Sequence, residues 1–165
     1  MRGSMIYPGF LLAAAIAWGC GDKLMLVMGA RASQIKPVHP ALILAYPGQA
    51  ASATLIRNLQ LQSAMKKAGH RVHVVEDTTG LDVALKGGKY DLVVADVTNA
   101  DEVSQHVVSA PSKPVLLPVA FRVSKEEQTA AQKKYHCLLK APGSPENYLA
   151  AIDQAMDWKL KTVNR

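Results

Sequence analysis

The sequence has little with which to build a covalently stapled, metal-held or base-stacking site. Two cysteines in 165 residues, Cys20 and Cys137, make no disulfide framework, and no Cys/His spacing matches a zinc site. Aromatic residues make up 5% of the chain, too few for a platform on which single-stranded nucleic acid would stack. There is no Walker pattern and no GxGxxG fingerprint. No Ser/His/Asp or Cys/His arrangement surrounds Ser52, Ser63 or Cys137, so no enzyme activity is expected. Internal repeats and low-complexity tracts are also missing.

What the chain does have is apolar sequence. With 49% hydrophobic and 19% charged residues it is globular, and its length gives one domain of ordinary size with an extension. The 19 Lys and Arg outnumber the 13 Asp and Glu, leaving a net charge of +6. That sign suits an anionic partner such as a phospholipid surface. The cations are scattered (Lys66, Lys67, Lys86, Lys89, Lys113, Lys133, Lys134), which reads as a solvated basic surface and not as a nucleic-acid footprint. Cys137, inside the apolar run 135–139, is expected to be a buried thiol.

The central element is residues 91–97, Asp91-Leu92-Val93-Val94-Ala95-Asp96-Val97. A short Val-rich run of this kind is a strand buried on both faces, and Asp96 then stands at the rim where parallel sheets hold their sites. Around it, residues 41–46, 71–75, 114–120 and 136–139 read as four more strands. Helices are expected from about Ser52 or Gln49 to Lys67, over 81–87, 100–110 and 125–134, and from Ser144 onward. In the first of these, Leu55, Leu59, Ala64 and Met65 form the buried face. In the last, Tyr148, Leu149, Ile152, Met156 and Leu160 form the stripe. His73 alternates with Val72 and Val74, placing it on a solvated or half-buried face. Strands alternating with helices through short loops imply an α/β fold, a doubly wound five-stranded parallel sheet between two layers of helices with right-handed crossovers.

The N-terminal segment has a different character. Arg2 precedes the apolar run 5–19, which ends at Cys20-Gly21-Asp22-Lys23. The run is short for a membrane span of ~20 residues and has the layout of a secretory signal peptide. Cys20 after Gly19 resembles the lipobox of bacterial lipoproteins, which implies lipidation of Cys20 and a place in the cell envelope, membrane-anchored or periplasmic. Ala30-Arg31-Ala32 before Ser33 is a second cleavage pattern. The remaining alternative is a structural first element of a cytosolic protein. The expected organisation is a signal peptide or anchor over 1–20, a linker over 21–39 with a further strand at 23–29, and the folded domain over 40–163.

Three stretches of that domain resemble the receiver domain of bacterial response regulators. They are Lys67-Ala68-Gly69-His70-Arg71-Val72, Gly88-Lys89-Tyr90-Asp91 leading through the third strand to Asp96, and Leu139-Lys140-Ala141-Pro142 followed by Ser144-Pro145-Glu146. The resemblance implies that Asp96 occupies the phosphoacceptor position and Lys140 that of its lysine partner. It also implies Mg²⁺ held by an acidic pair after the first strand, where this chain has Ala45-Tyr46-Pro47-Gly48. The family's switch Ser or Thr is replaced by Val119-Ala120. Glu76 and Asp77 do not match the metal positions. The expectation is a degenerate receiver: no metal, no cofactor, Asp96 held by Lys140 or by loop amides, and a protein partner. Two alternatives stand beside it. Gly48, Gln49, Ser52 and Thr54 in the loop 47–54 would bind a small molecule or anion. A cytosolic, phosphorylatable receiver would need Glu76 or Asp77 to hold the metal.

Overall fold

A computed structural model describes residues 41–163. Cys20, both cleavage patterns and the further strand at 23–29 lie outside the described residues. In chain order the elements are β1 Leu42–Tyr46, α1 Ala53–Ile56, α2 Leu59–Lys67, β2 Arg71–Val74, α3 Thr78–Gly87 and β3 Leu92–Asp96. They continue with α4 Ala100–Ser109, β4 Val115–Phe121, α5 Lys125–Lys134, β5 Leu139–Ala141 and α6 Pro145–Val163. All strand pairings are parallel, in the order β2-β1-β3-β4-β5. The expected doubly wound α/β sandwich is therefore the fold.

Burial explains why β3 is so apolar. All five of its residues are buried, because β1 and β4 flank it and helices cover both faces. Side chains alternate across the sheet. Ile43, Ala45, Leu92, Val94, Leu117, Val119 and Leu139 pack with Ile56, Leu61 and Met65 from α1 and α2 and with Ile152 and Met156 from α6. Leu44, Tyr46, Val93 and Ala95 pack on the other face with Leu81 and Leu85 of α3 and Val103 and Val107 of α4. Helix α5 contributes only Ala131 to a small third cluster with Ala120 and Leu138. It begins with a capping box, in which Ser124 Oγ accepts from Glu127 N–H at 3.2 Å and Ser124 N–H donates to Glu127 Oε2 at 2.8 Å. Cys137 is buried and is in no disulfide among the described residues.

The structure departs from the sequence expectation at four points, the simplest being that α3 starts at Thr78, three residues before the expected 81, with Asp77 as its cap. The first helix is split, because Asn58 Oδ1 accepts from Leu61 N–H at 3.1 Å and caps a new helix there. The restart rotates the register: Leu59 is 79% exposed, and Ile56, Leu61 and Met65 take the buried positions. The fifth strand begins at Leu139, not at 136, since β4 offers ladder partners only from Val119 onward on that side. Leu160, expected in the buried stripe of α6, is 38% exposed where the helix reaches its last turns.

Asp91 ties the strand N-terminal edge together. Its Oδ2 accepts from Leu42 N–H at 2.9 Å and its Oδ1 meets Lys159 Nζ at 2.8 Å. Its backbone bridges Leu42 and Val115 on the two neighbouring strands. Just before it, a Cβ on Gly88 would lie 2.2 Å from the Tyr90 ring, so only glycine fits that approach. The Tyr90 hydroxyl is 2.5 Å from Nδ1 of His73, which is exposed on β2.

His70 is buried at the same edge, 1% exposed, with Nδ1 accepting from Ala41 N–H at 3.2 Å. Its proton therefore sits on Nε2, which has no partner within the protein among the described residues. Burial lowers its pKa, because the imidazolium would be desolvated. Below the ordinary value of about 6.5 the unfolded chain takes up a proton that the folded chain refuses, so stability falls as pH falls. Urea unfolding measured from pH 7.5 down to 5 is expected to show this slope, and His70→Asn to flatten it. An unchanged slope in the variant would assign the effect to another group.

Candidate functional site

Parallel topology gathers the strand C-termini at one rim, formed by the loops after β1, β2, β3, β4 and β5. Asp96, the last residue of β3, is 3% exposed. Its Oδ1 accepts from Thr98 N–H at 2.9 Å and from Thr98 Oγ1–H at 2.7 Å. Its Oδ2 accepts from Ser52 N–H at 3.3 Å, across 44 residues of sequence. The first pair is an Asx-type turn that shapes the start of the β3–α4 loop. The third bond fastens that loop to the one after β1. A carboxylate buried and bonded in this way is a latch between the two loops.

The residues of the loop 47–54 do not converge on one volume. Gly48 is buried with φ +54°, and a Cβ there would lie 2.7 Å from Asn99 Nδ2. Its carbonyl accepts from Arg57 at 3.5 Å. Gln49 and Thr54 are exposed, whereas Ser52 is fully buried, its amide already given to Asp96. Ser52 Oγ has no partner among the described residues. Helix α1 spans four residues, so it lacks the aligned amides of an anion-binding helix start.

Lys140 is half-buried in β5, opposite Ala120, while Asp96 is opposite Val119. The two thus stand two strands apart and one register step out of line. Where a receiver would place its acidic pair, Tyr46 is buried in the apolar cluster and Pro47 is buried beside it. Burial, then Glu102 and Asp77, raise the Tyr46 phenol pKa. These residues do not fit Mg²⁺: β1 supplies no carboxylate, Asp96 is buried and already bonded to Ser52 and Thr98, and no group of three His, Cys, Asp or Glu side chains suited to a metal occurs among the described residues. Glu76 is instead paired with Arg57, whose hydrogen bond holds the carboxyl below its ordinary range. Asp77 caps α3 through Gly80 N–H.

A second latch stands beside the first. Asp101, in the first turn of α4, accepts from the Tyr135 hydroxyl at 2.5 Å and meets Lys134 Nζ at 2.5 Å. It anchors the C-terminal end of α5, which has little apolar packing of its own. Burial, followed by the Asp101 hydrogen bond, pushes the Tyr135 phenol well up. The Asp96–Thr98 spacing is a readable Asx signal in the sequence that was not used; the Asp101 and Arg57 pairs join distant segments and carry no such signal.

This fold and rim define a class. The chain has the CheY-like receiver fold, and solved structures of response regulators share it. It is similar to NtrX from Brucella abortus (12% identity, TM-score 0.62, 76% of this chain and 28% of that one). It is likewise similar to a response regulator from Thermotoga maritima (15%, 0.54, 71% and 98%) and to a response regulator receiver protein from Sinorhizobium medicae WSM419 (19%, 0.56, 73% and 98%). The chain thus spans under a third of NtrX but nearly all of the single receivers. No protein-family model and no curated protein matches the sequence. At these identities the likeness is one of fold.

Removing the Asp96 carboxylate leaves the buried Ser52 amide and the part-buried Thr98 amide without their acceptor. Asp96→Ala is expected to lower the unfolding free energy by about 2–4 kcal/mol, and Asp96→Asn by less, because one acceptor remains. Urea denaturation of the three proteins checks this; a loss under ~0.5 kcal/mol for the alanine variant would mean that the latch carries no stability.

Proposed function

We propose that this chain is a non-catalytic, receiver-like protein-interaction domain of a signalling system, held in the cell envelope by its N-terminal segment and not regulated by phosphorylation. The engagement of both Asp96 oxygens by Ser52 and Thr98 carries this reading. Phosphoryl transfer requires a free carboxylate oxygen in line with the donor and a cation to neutralise the transferring oxygens. Asp96 offers the first only by breaking buried hydrogen bonds, and the rim has no ligand set for the second. A rim of this kind holds one conformation, which suits a constitutive docking domain better than a switch. Its protein partner is recognised by the surface of the fold, not by chemistry at Asp96.

The envelope location rests on sequence. The apolar run 5–19 and Cys20 have the layout of a lipoprotein signal, and no helix of the described residues is long and apolar enough to cross a membrane. A lipid on Cys20 would then supply the tether, at ~0.8 kcal/mol for each buried CH₂.

Two measurements test the two halves of the proposal. Incubation of the purified protein with acetyl phosphate and Mg²⁺ is expected to leave its intact mass unchanged; a stable gain of one phosphate that disappears in Asp96→Asn would sink the non-phosphorylated reading. In cells, the full chain is expected to enter the detergent phase on phase separation and Cys20→Ser to leave it. Equal partitioning, with a mature N-terminus at Ser33, would replace the lipoprotein by an exported soluble protein.

A further inference from the structure

The fold sorts its charges by end. In a parallel sheet with antiparallel helices, strand N-termini and helix C-termini meet at the end opposite the Asp96 rim. Lys66 and Lys67 lie in the last turn of α2, Lys86 in that of α3 and Lys161 in that of α6. Arg71 is the first residue of β2, Lys89 lies just before β3 and Lys113 just before β4. All seven are exposed. Asp91, at the same edge, is taken up by Lys159 and Leu42 N–H, and Asp157 lies one turn up α6 from Lys161. The opposite rim is mixed: exposed Glu76, Asp77, Asp101 and Glu102 stand with exposed Arg57, Arg122, Lys125 and Lys134, of which Arg57 pairs with Glu76 and Lys134 with Asp101.

Cations at helix C-termini are ordinary complements of the helix dipole. That accounts for Lys66, Lys67, Lys86 and Lys161. It does not account for Arg71, Lys89 and Lys113, which lie outside helices. The chain enters the domain at this same end. Ala41, paired through its carbonyl with Arg71, directly follows the N-terminal segment with its apolar run 5–19 and its own Arg31 and Lys36.

We infer that this end of the domain, around Lys66, Lys67, Arg71, Lys86, Lys89, Lys113 and Lys161, is a docking surface for the anionic headgroups of a phospholipid bilayer. Charge complementarity selects the partner, and the entry point of the apolar N-terminal segment orients the domain toward it. The Asp96 rim with its two latches then faces away from the membrane, toward soluble partners. This goes beyond the lipid tether, because it assigns the domain itself a headgroup-binding face and needs no acyl chain on Cys20.

The experiment is co-sedimentation of the full chain with vesicles of phosphatidylcholine alone and of phosphatidylcholine mixed three to one with phosphatidylglycerol. Stronger binding to the mixed vesicles, reduced by salt, is the expected result. Lys66→Gln with Lys89→Gln is expected to weaken binding to the mixed vesicles about twentyfold, given the usual contribution of each basic residue near an anionic surface. Arg122→Gln with Lys125→Gln removes equal charge at the other end and is expected to change it little. Equal binding to both vesicles, or equal loss in both double variants, would overturn the inference. So would tighter binding of a duplex DNA than of the mixed vesicles, abolished by the same Lys66 and Lys89 changes. Thermal melts of both double variants control for folding. Cys20→Ser separates the two proposals, since loss of the tether lowers binding to both vesicle types and leaves their ratio in place.

Discussion

A carboxylate taken out of water must be surrounded by donors, and the architecture of the functional rim follows from that requirement at Asp96. The strand that carries it is buried on both faces, so the side chain at its end has no solvent to turn to. Thr98 supplies two donors from its own loop and Ser52 one from the loop after β1. The bonds satisfy the charge, and they also fix the spacing of two loops that are 44 residues apart. In a receiver that works by phosphorylation, such groups would have to stay available for a metal and a phosphoryl group. Here they are engaged with Ser52 and Thr98, and the carboxylate joins two loops of the fold.

The helices are attached to the sheet by unlike means. On one face α1, α2 and α6, and on the other α3 and α4, are held by apolar side chains that interdigitate with the strands. Helix α5 buries a single alanine and depends on its own capping box and on the Asp101 contacts with Lys134 and Tyr135. Apolar packing weakens little with salt or pH, whereas exposed polar ties do. Helix α5 is therefore held by the ties that salt and pH weaken most, and its neighbour is the loop that Asp96 shapes.

Much of this could be read from residue order, and the reasons differ by element. The strand at 92–96 was legible because burial on both faces leaves an uninterrupted apolar run. The helix at 125–134 was legible because its start signal, Ser124 with Glu127, is local. The break at Asn58 was not, since a cap inside a continuous apolar period competes with that period and only packing decides between them. The expectation that Asp96 bonds to loop amides was sound in kind, but Ser52 could be named only once β1 and β3 were neighbours in space. The loop 47–54 looked like a cradle because its small residues suit one; the structure shows that Ser52 has turned its amide inward to Asp96.

Among the described residues the sheet ends on one side at β2, four residues whose outer backbone groups have no strand of that set beside them. Such an edge invites pairing with another copy wherever chains are concentrated, and the risk grows with length and flatness. Here Arg71 and His73 project from the exposed face of a strand too short to offer more than a few bonds. An incoming strand would have to bring its own side chains against a guanidinium and an imidazole. The domain thereby tolerates crowding without adding itself, edge to edge, into a ribbon.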